Sequence, residues 1–167
     1  GQVFKADLSP LQQEPEVIEL PVLFENEDVI VVNKPEGIIS HARGRYWQEA
    51  SVASFIRDKT KDMIGDRAGI VHRLDRATSG VMIAAKNQAA QTYLQKQFAE
   101  KKVLKKYTAI VVGTPEPAEA HIIAALLRNQ SIPQQFKVDQ AGKHAETIYK
   151  VEASVGGVSK VTLTPLT

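Results

Sequence analysis

Short apolar runs limit how this chain can fold. Val29-Ile30-Val31-Val32, Val81-Met82-Ile83-Ala84-Ala85 and Tyr107-Thr108-Ala109-Ile110-Val111-Val112 are each only four to six residues long. Runs of that length, rich in β-branched residues, fit strands better than helices. The unbroken 29–32 run predicts a buried strand. Lys34-Pro35-Glu36-Gly37 closes it as a turn, since proline presets φ and glycine accepts positive φ. Further strands are expected at residues 121–126, through Thr147, Tyr149 and Val151, and at 158–163 after a Gly156-Gly157 turn. Two helices interrupt the series. Residues 49–59 carry Val52, Phe55 and Ile56 on one helical face, and Asn87 caps a second helix that runs to about Lys101. In that helix Ala90, Leu94 and Phe98 form the apolar stripe, and Gln95, Lys96 and Glu100 face away. The late strands follow one another through short turns. An α+β fold with a mixed, largely antiparallel sheet flanked by helices is expected, not an alternating doubly wound one.

The 167 residues are 43% hydrophobic and 24% charged, enough for an ordinary globular core. A net charge of +2 is too small to identify a nucleic-acid binder by itself. The absence of cysteine excludes disulfides, a thiol nucleophile and Cys-based zinc sites, and fits a cytoplasmic protein. No apolar run approaches the roughly 20 residues of a membrane helix, so no membrane partner is expected. Residues 1–21, with Pro10, Pro15 and Pro21, read as an extended linker. The chain starts without methionine and stops within an expected strand, so it reads as part of a longer polypeptide.

The chemistry concentrates in Gly69-Ile70-Val71-His72-Arg73-Leu74-Asp75-Arg76-Ala77-Thr78-Ser79-Gly80. A polar crossing between two apolar segments is the layout of an active-site loop on a rigid scaffold. Asp75 is the candidate catalytic group. An arbitrary surface Asp beside Arg is more often a weak surface pair, worth about 0–1 kcal/mol. With an arginine close on either side, Arg73 and Arg76, this carboxylate should stay ionised and able to act as nucleophile or base. The segment holds no second acid, so a glycosidase carboxylate pair is not visible locally.

His72 admits a base or ligand role. Yet the four histidines (41, 72, 121, 144) have no metal-ligand spacing, and a histidine bonding the loop is the better reading. Thr78-Ser79-Gly80 reads as a turn shaping the loop, since no G-x-S-x-G elbow is present. Lys101-Lys102 and Lys105-Lys106 form a basic cluster. A solvated helix end and a phosphate contact explain it about equally well. Tyr107, beside them, is either a sheet-face residue or a stacking platform for a base. Gly37, Gly44 and Gly113 do not combine into a phosphate loop, and no nucleotide cofactor is expected.

His72-Arg73-Leu74-Asp75-Arg76-Ala77-Thr78-Ser79-Gly80 resembles the H-R-L-D-x-x-T-S-G motif of the RluA-like pseudouridine synthases, matching every specified position. Three further segments are similar to that family, in its order. They are residues 28–37 with the K-P-x-G turn, Lys105-Lys106-Tyr107-Thr108-Ala109 with Gly113, and Gly142-Lys143-His144-Ala145-Glu146-Thr147-Ile148-Tyr149. The resemblance runs from about residue 22 to the end. It implies a pseudouridine synthase catalytic domain over 22–167, preceded by a linker that could be the tail of an S4-like RNA-binding domain.

By the same resemblance Asp75 is the catalytic aspartate and Tyr107 the tyrosine that packs on the target uracil. Arg73 helps to hold the RNA open. His72, Arg73, Arg76 and Thr78 become the candidate RNA- or substrate-binding residues. Family members continue into a T-G-R-x-H-Q-I-R-like segment whose first arginine pairs with the aspartate, and that segment lies beyond Thr167. The implied activity is isomerisation of uridine to pseudouridine in structured RNA, either rRNA or tRNA. No cofactor and no metal are expected, and the protein is expected to be a monomer. The alternatives are a non-catalytic RNA-binding module on the same scaffold and a glycoside-cleaving hydrolase.

Overall fold

The computed structural model describes residues 3, 5–7, 9, 16–42, 49–60, 63–65 and 67–167. Much of the expected linker, including Pro10 and Pro15, lies outside the described residues, as does Gly44. The chain forms two compact units, Gly1–Glu100 and Lys101–Thr167. No helix among the described residues is long and apolar enough to cross a membrane.

The first unit contains a three-stranded sheet in the order β1-β2-β3, with β1 at Val22–Glu25, β2 at Val29–Lys34 and β3 at Gly80–Ala85. Both strand pairs are antiparallel. Ile30 lies opposite Ala84, Val32 opposite Met82 and Lys34 opposite Gly80. Period-two alternation therefore puts Ile30, Val32, Met82 and Ala84 on one face, and all four are buried. Val29 and Val31 are only half-buried. The expected strand is therefore buried through the face that carries Ile30 and Val32.

The same core takes Val52, Ala53 and Ile56 from α1 (Val52–Ile56). Ser51 and Ser54 cap this helix reciprocally, each side chain bonding the other's backbone N–H (3.1 and 2.8 Å). The helix is shorter than the 49–59 expected, since a 3-10 turn, Arg57–Lys59, follows it directly. Asn87 caps α2 (Gln88–Ala99) by accepting from the Ala90 N–H at 2.9 Å. Ala90, Leu94 and Phe98 are half-buried, and Gln95, Lys96 and Glu100 are exposed.

The second unit is a five-stranded sheet in the order β4-β8-β7-β5-β6. Its strands are β4 Tyr107–Val112, β5 Glu119–Arg128, β6 Phe136–Val138, β7 Lys143–Val155 and β8 Val158–Pro165. All its pairings are antiparallel. Short β1 and β6, four and three residues long, were not expected from the sequence. Val161 and Ser159 are buried, and the Ser159 hydroxyl donates to the Gly113 carbonyl at 2.7 Å. On the opposite face His121 and His144 both bond the Glu146 carboxylate.

The first unit's core should dominate its stability. Ile30→Ala should cost about 2–5 kcal/mol in urea unfolding, whereas Leu23→Ala on exposed β1 should stay within about 0.5 kcal/mol. In the second unit the bonds from His144, and then His121, lower the Glu146 pKa below its usual value, against partial desolvation. A depressed carboxyl contributes stability above its unfolded pKa and loses it as pH falls through the folded value. Unfolding midpoints of Glu146→Gln should therefore fall less than those of the parent between neutral pH and about pH 3.

Candidate functional site

The Asp75 loop leaves the core beside Ile70, which bridges to Ala84, and returns at Gly80, the first residue of β3. Gly69 precedes it with φ +81°, and a Cβ there would lie 2.4 Å from the Ala85 carbonyl oxygen. Only glycine allows the backbone this close to β3. Within the loop, the Thr78 N–H bonds the Asp75 carbonyl at 3.0 Å and closes a turn.

Three side chains hold the loop from below. Lys34, wholly buried, points its ammonium at the carbonyls of Pro35 and Ile38 (2.8 Å each) and more loosely at that of Arg76 (3.4 Å). Burial pushes the Lys34 pKa below the ordinary lysine value; the Asp75 carboxylate opposes that shift and the Arg76 guanidinium adds to it. Buried Ser40 donates its hydroxyl to the Leu74 carbonyl (2.6 Å) and accepts the Leu74 N–H (3.0 Å). One hydroxyl thus does for Leu74 what a neighbouring strand would do. Arg76 forms a two-pronged ion pair with Glu49, donates to the Gly37 carbonyl at 3.1 Å, and accepts the Gly37 N–H at 2.8 Å through its own carbonyl. Gly37 has φ +85°, the conformation that the Lys-Pro-Glu-Gly turn requires of its glycine.

The reactive-looking groups are on the outside. The Asp75 side chain is 83% exposed, and the Arg73 guanidinium, 63% exposed, approaches it to 3.5 Å. That is a loose surface pair, and it leaves the carboxylate oxygens accessible. The two arginines therefore have different partners: Arg73 faces the carboxylate and Arg76 is engaged by Glu49. His72 accepts the Ile83 N–H at Nε2 (3.1 Å) and stacks on Phe98 at 4.6 Å between ring centroids. Accepting at Nε2 assigns the neutral tautomer with the proton on Nδ1. Thr78 is half-buried at the turn.

Tyr107 opens β4 in the second unit, half-buried and opposite Leu163 of β8. Its face of β4 continues through Ala109 and Val111, the half-buried side of that strand.

Sequence reasoning missed Ser40 and Glu49, which act from 34 and 27 residues away. Nothing local distinguishes them. Lys34 was placed in its turn but given no task. Its burial had a signal, because Lys34 shares the inward alternation of Ile30 and Val32.

A family model for RNA pseudouridylate synthase matches residues 28–167. The chain belongs to that family. It is 36% identical over 160 residues to the ribosomal large subunit pseudouridine synthase D of Borreliella burgdorferi, covering 92% of this chain and 49% of that protein. It is 38% identical over 150 residues to the dual-specificity RNA pseudouridine synthase RluA of Salmonella typhi, covering 89% of this chain and 66% of that one. The chain thus spans about half to two-thirds of the length of these relatives. Among solved structures, human RNA pseudouridylate synthase domain containing 1 matches with a TM-score of 0.71 at 24% identity, over 93% of this chain and 63% of that one. At that identity the likeness concerns the fold, and it agrees with an α+β architecture.

For this family member the supports of the loop are open to test. Ser40→Ala leaves the buried Leu74 N–H and C=O without their side-chain partner and should cost about 1–3 kcal/mol by urea unfolding. Lys34→Met keeps length but strips the donor from two tight carbonyl contacts. It should loosen the 70–80 loop, seen as faster amide exchange there relative to α2.

Proposed function

We propose that the protein isomerises uridine to pseudouridine in structured RNA, with Asp75 as the catalytic carboxylate. The observation that carries this reading is the Asp75 loop itself: an accessible carboxylate on a turn held by Lys34, Ser40 and the Arg76–Glu49 pair. Rigid support below and access above are what catalysis on a bulky polymer needs. Names of relatives that refer to the ribosomal large subunit favour rRNA as the substrate.

The target nucleotide must leave its stack, which costs a few kcal/mol. Asp75 then acts at the ribose, by attack on C1′ or by removing the C2′ proton, and the N1–C1′ bond breaks. The uracil turns and C5 bonds to C1′, which breaks the Asp75–C1′ bond or is accompanied by return of the proton to C2′; the C5 proton is then lost, and N1 regains one. Nothing is oxidised, and the RNA keeps its composition. The motif match supports Tyr107 as the aromatic wall against the uracil and Arg73 as the residue that helps to hold the RNA open.

The test is conversion of uridine in total RNA by the full-length parent and by Asp75→Ala. The parent should produce pseudouridine, and the variant should lose the rate by about 10²–10⁴-fold or more. Release of free uracil would point to a hydrolase. RNA binding without conversion by the parent would point to a binding module and overturn the reading.

A further inference from the structure

Helix α2 stops at Ala99, and Glu100 closes it by bonding the Lys96 carbonyl at 2.9 Å. The next residue, Lys101, has φ +56° and is the one non-glycine residue with positive φ among the described residues. A helix often ends this way, but the left-handed position then normally belongs to glycine or asparagine. A lysine there carries a Cβ against its own carbonyl, so the chain keeps a strained cation where glycine would be easier.

The strained residue begins a strip whose charges are all positive. Residues 101–106 read Lys-Lys-Val-Leu-Lys-Lys, and no acidic residue occurs from 101 to 115. Lys101, Lys102 and Lys106 are exposed, while Lys105 is half-buried and donates to the Thr167 carbonyl at 3.2 Å. Attraction to the α2 dipole accounts for cations in its last turn only, and it fades before Lys106. It also gives no reason for a lysine in place of glycine at 101.

We propose that residues 101–106 are a docking strip for the sugar–phosphate backbone of RNA, with Lys101, Lys102 and Lys106 contacting phosphates. The proposal rests on the RNA-acting reading above and adds a surface to it. Phosphate contacts of this kind position the substrate without reading its sequence. Each one releases counterions, which makes its loss readable in the salt dependence of binding.

The experiment titrates an in-vitro-transcribed hairpin RNA with uridines in its loop onto the full chain between about 50 and 200 mM KCl. Lys101→Gly and Lys101→Asn should each lower the slope of log affinity against log salt by about 0.7–0.9, and Lys102→Gln with Lys106→Gln by about twice that. Thermal melting of both Lys101 variants should be unchanged or higher, because glycine and asparagine accept the left-handed conformation. Lys137→Gln, outside the strip, should leave the slope unaltered. Three results overturn the strip alone: parental slopes in the strip variants, an equal loss in Lys137→Gln, or weaker binding only together with a lower melting temperature. Failure of the parent to bind RNA in a salt-dependent way overturns the RNA-acting reading as well.

Discussion

Everything at the candidate site hangs on a buried ammonium. Lys34 ends a strand whose inward face is otherwise hydrocarbon, and it is wholly buried there. An ammonium without partners in such a place would be strongly destabilising. This one is tolerated because two carbonyls of its own turn lie at 2.8 Å, with a third from the Asp75 loop farther out. The requirement works in both directions. The carbonyls must converge for the lysine to be buried, and their convergence draws the Lys-Pro-Glu-Gly turn against the loop. The backbone bond between Gly37 and Arg76 then joins the two directly.

The loop divides its charged groups between support and exposure. Arg76 is spent on Glu49 and the Gly37 carbonyl, and His72 on the Ile83 amide and the Phe98 ring. Leu74 is buried with both backbone groups satisfied by Ser40. Asp75 and Arg73 stand outside, and the Arg76 guanidinium, though paired, stays half-exposed. From His72 to Asp75 the residues alternate, with His72 and Leu74 toward the scaffold and Arg73 and Asp75 toward solvent. A carboxylate carried in this way has few conformations to lose when a substrate arrives, which is the entropic advantage of a preorganised site. Among the described residues no buried side-chain polar atom lacks a partner, so the polar cluster under the loop is complete in itself.

Much of the fold was legible in local sequence. β2, β3, β4 and the long β7 and β8 announce themselves by β-branched runs and by Gly156-Gly157, and Asn87 marks the start of α2. The errors share a cause. Residues 49–59 carry a helical stripe, but the chain tightens into a 3-10 turn after Ile56, a change that hydrophobic periodicity does not register. β1 and β6 are short edge strands whose identity comes from the neighbour they pair with rather than from their own residues. The 29–32 run marked a buried strand but not which of its faces is covered, because pattern alone cannot tell how many layers lie on a sheet.

The same division applies to the site. By itself the sequence determined that Asp75 lies in a charged crossing between apolar strands, that a lysine and a glycine flank a proline turn at 34–37, and which family motifs are intact. These are local matters of residue type and spacing. Only the tertiary structure decided which arginine meets Asp75, that Lys34 is buried beneath the loop, and that Ser40 and Glu49 take part at all. Arg73 and Arg76 are equivalent as neighbours in sequence, one two residues before the aspartate and one directly after it. They become different only when the Gly37 carbonyl and the Glu49 carboxylate, brought from distant segments, engage one of them. Partner choice among like charges depends on distance and burial, and both are properties of the folded chain.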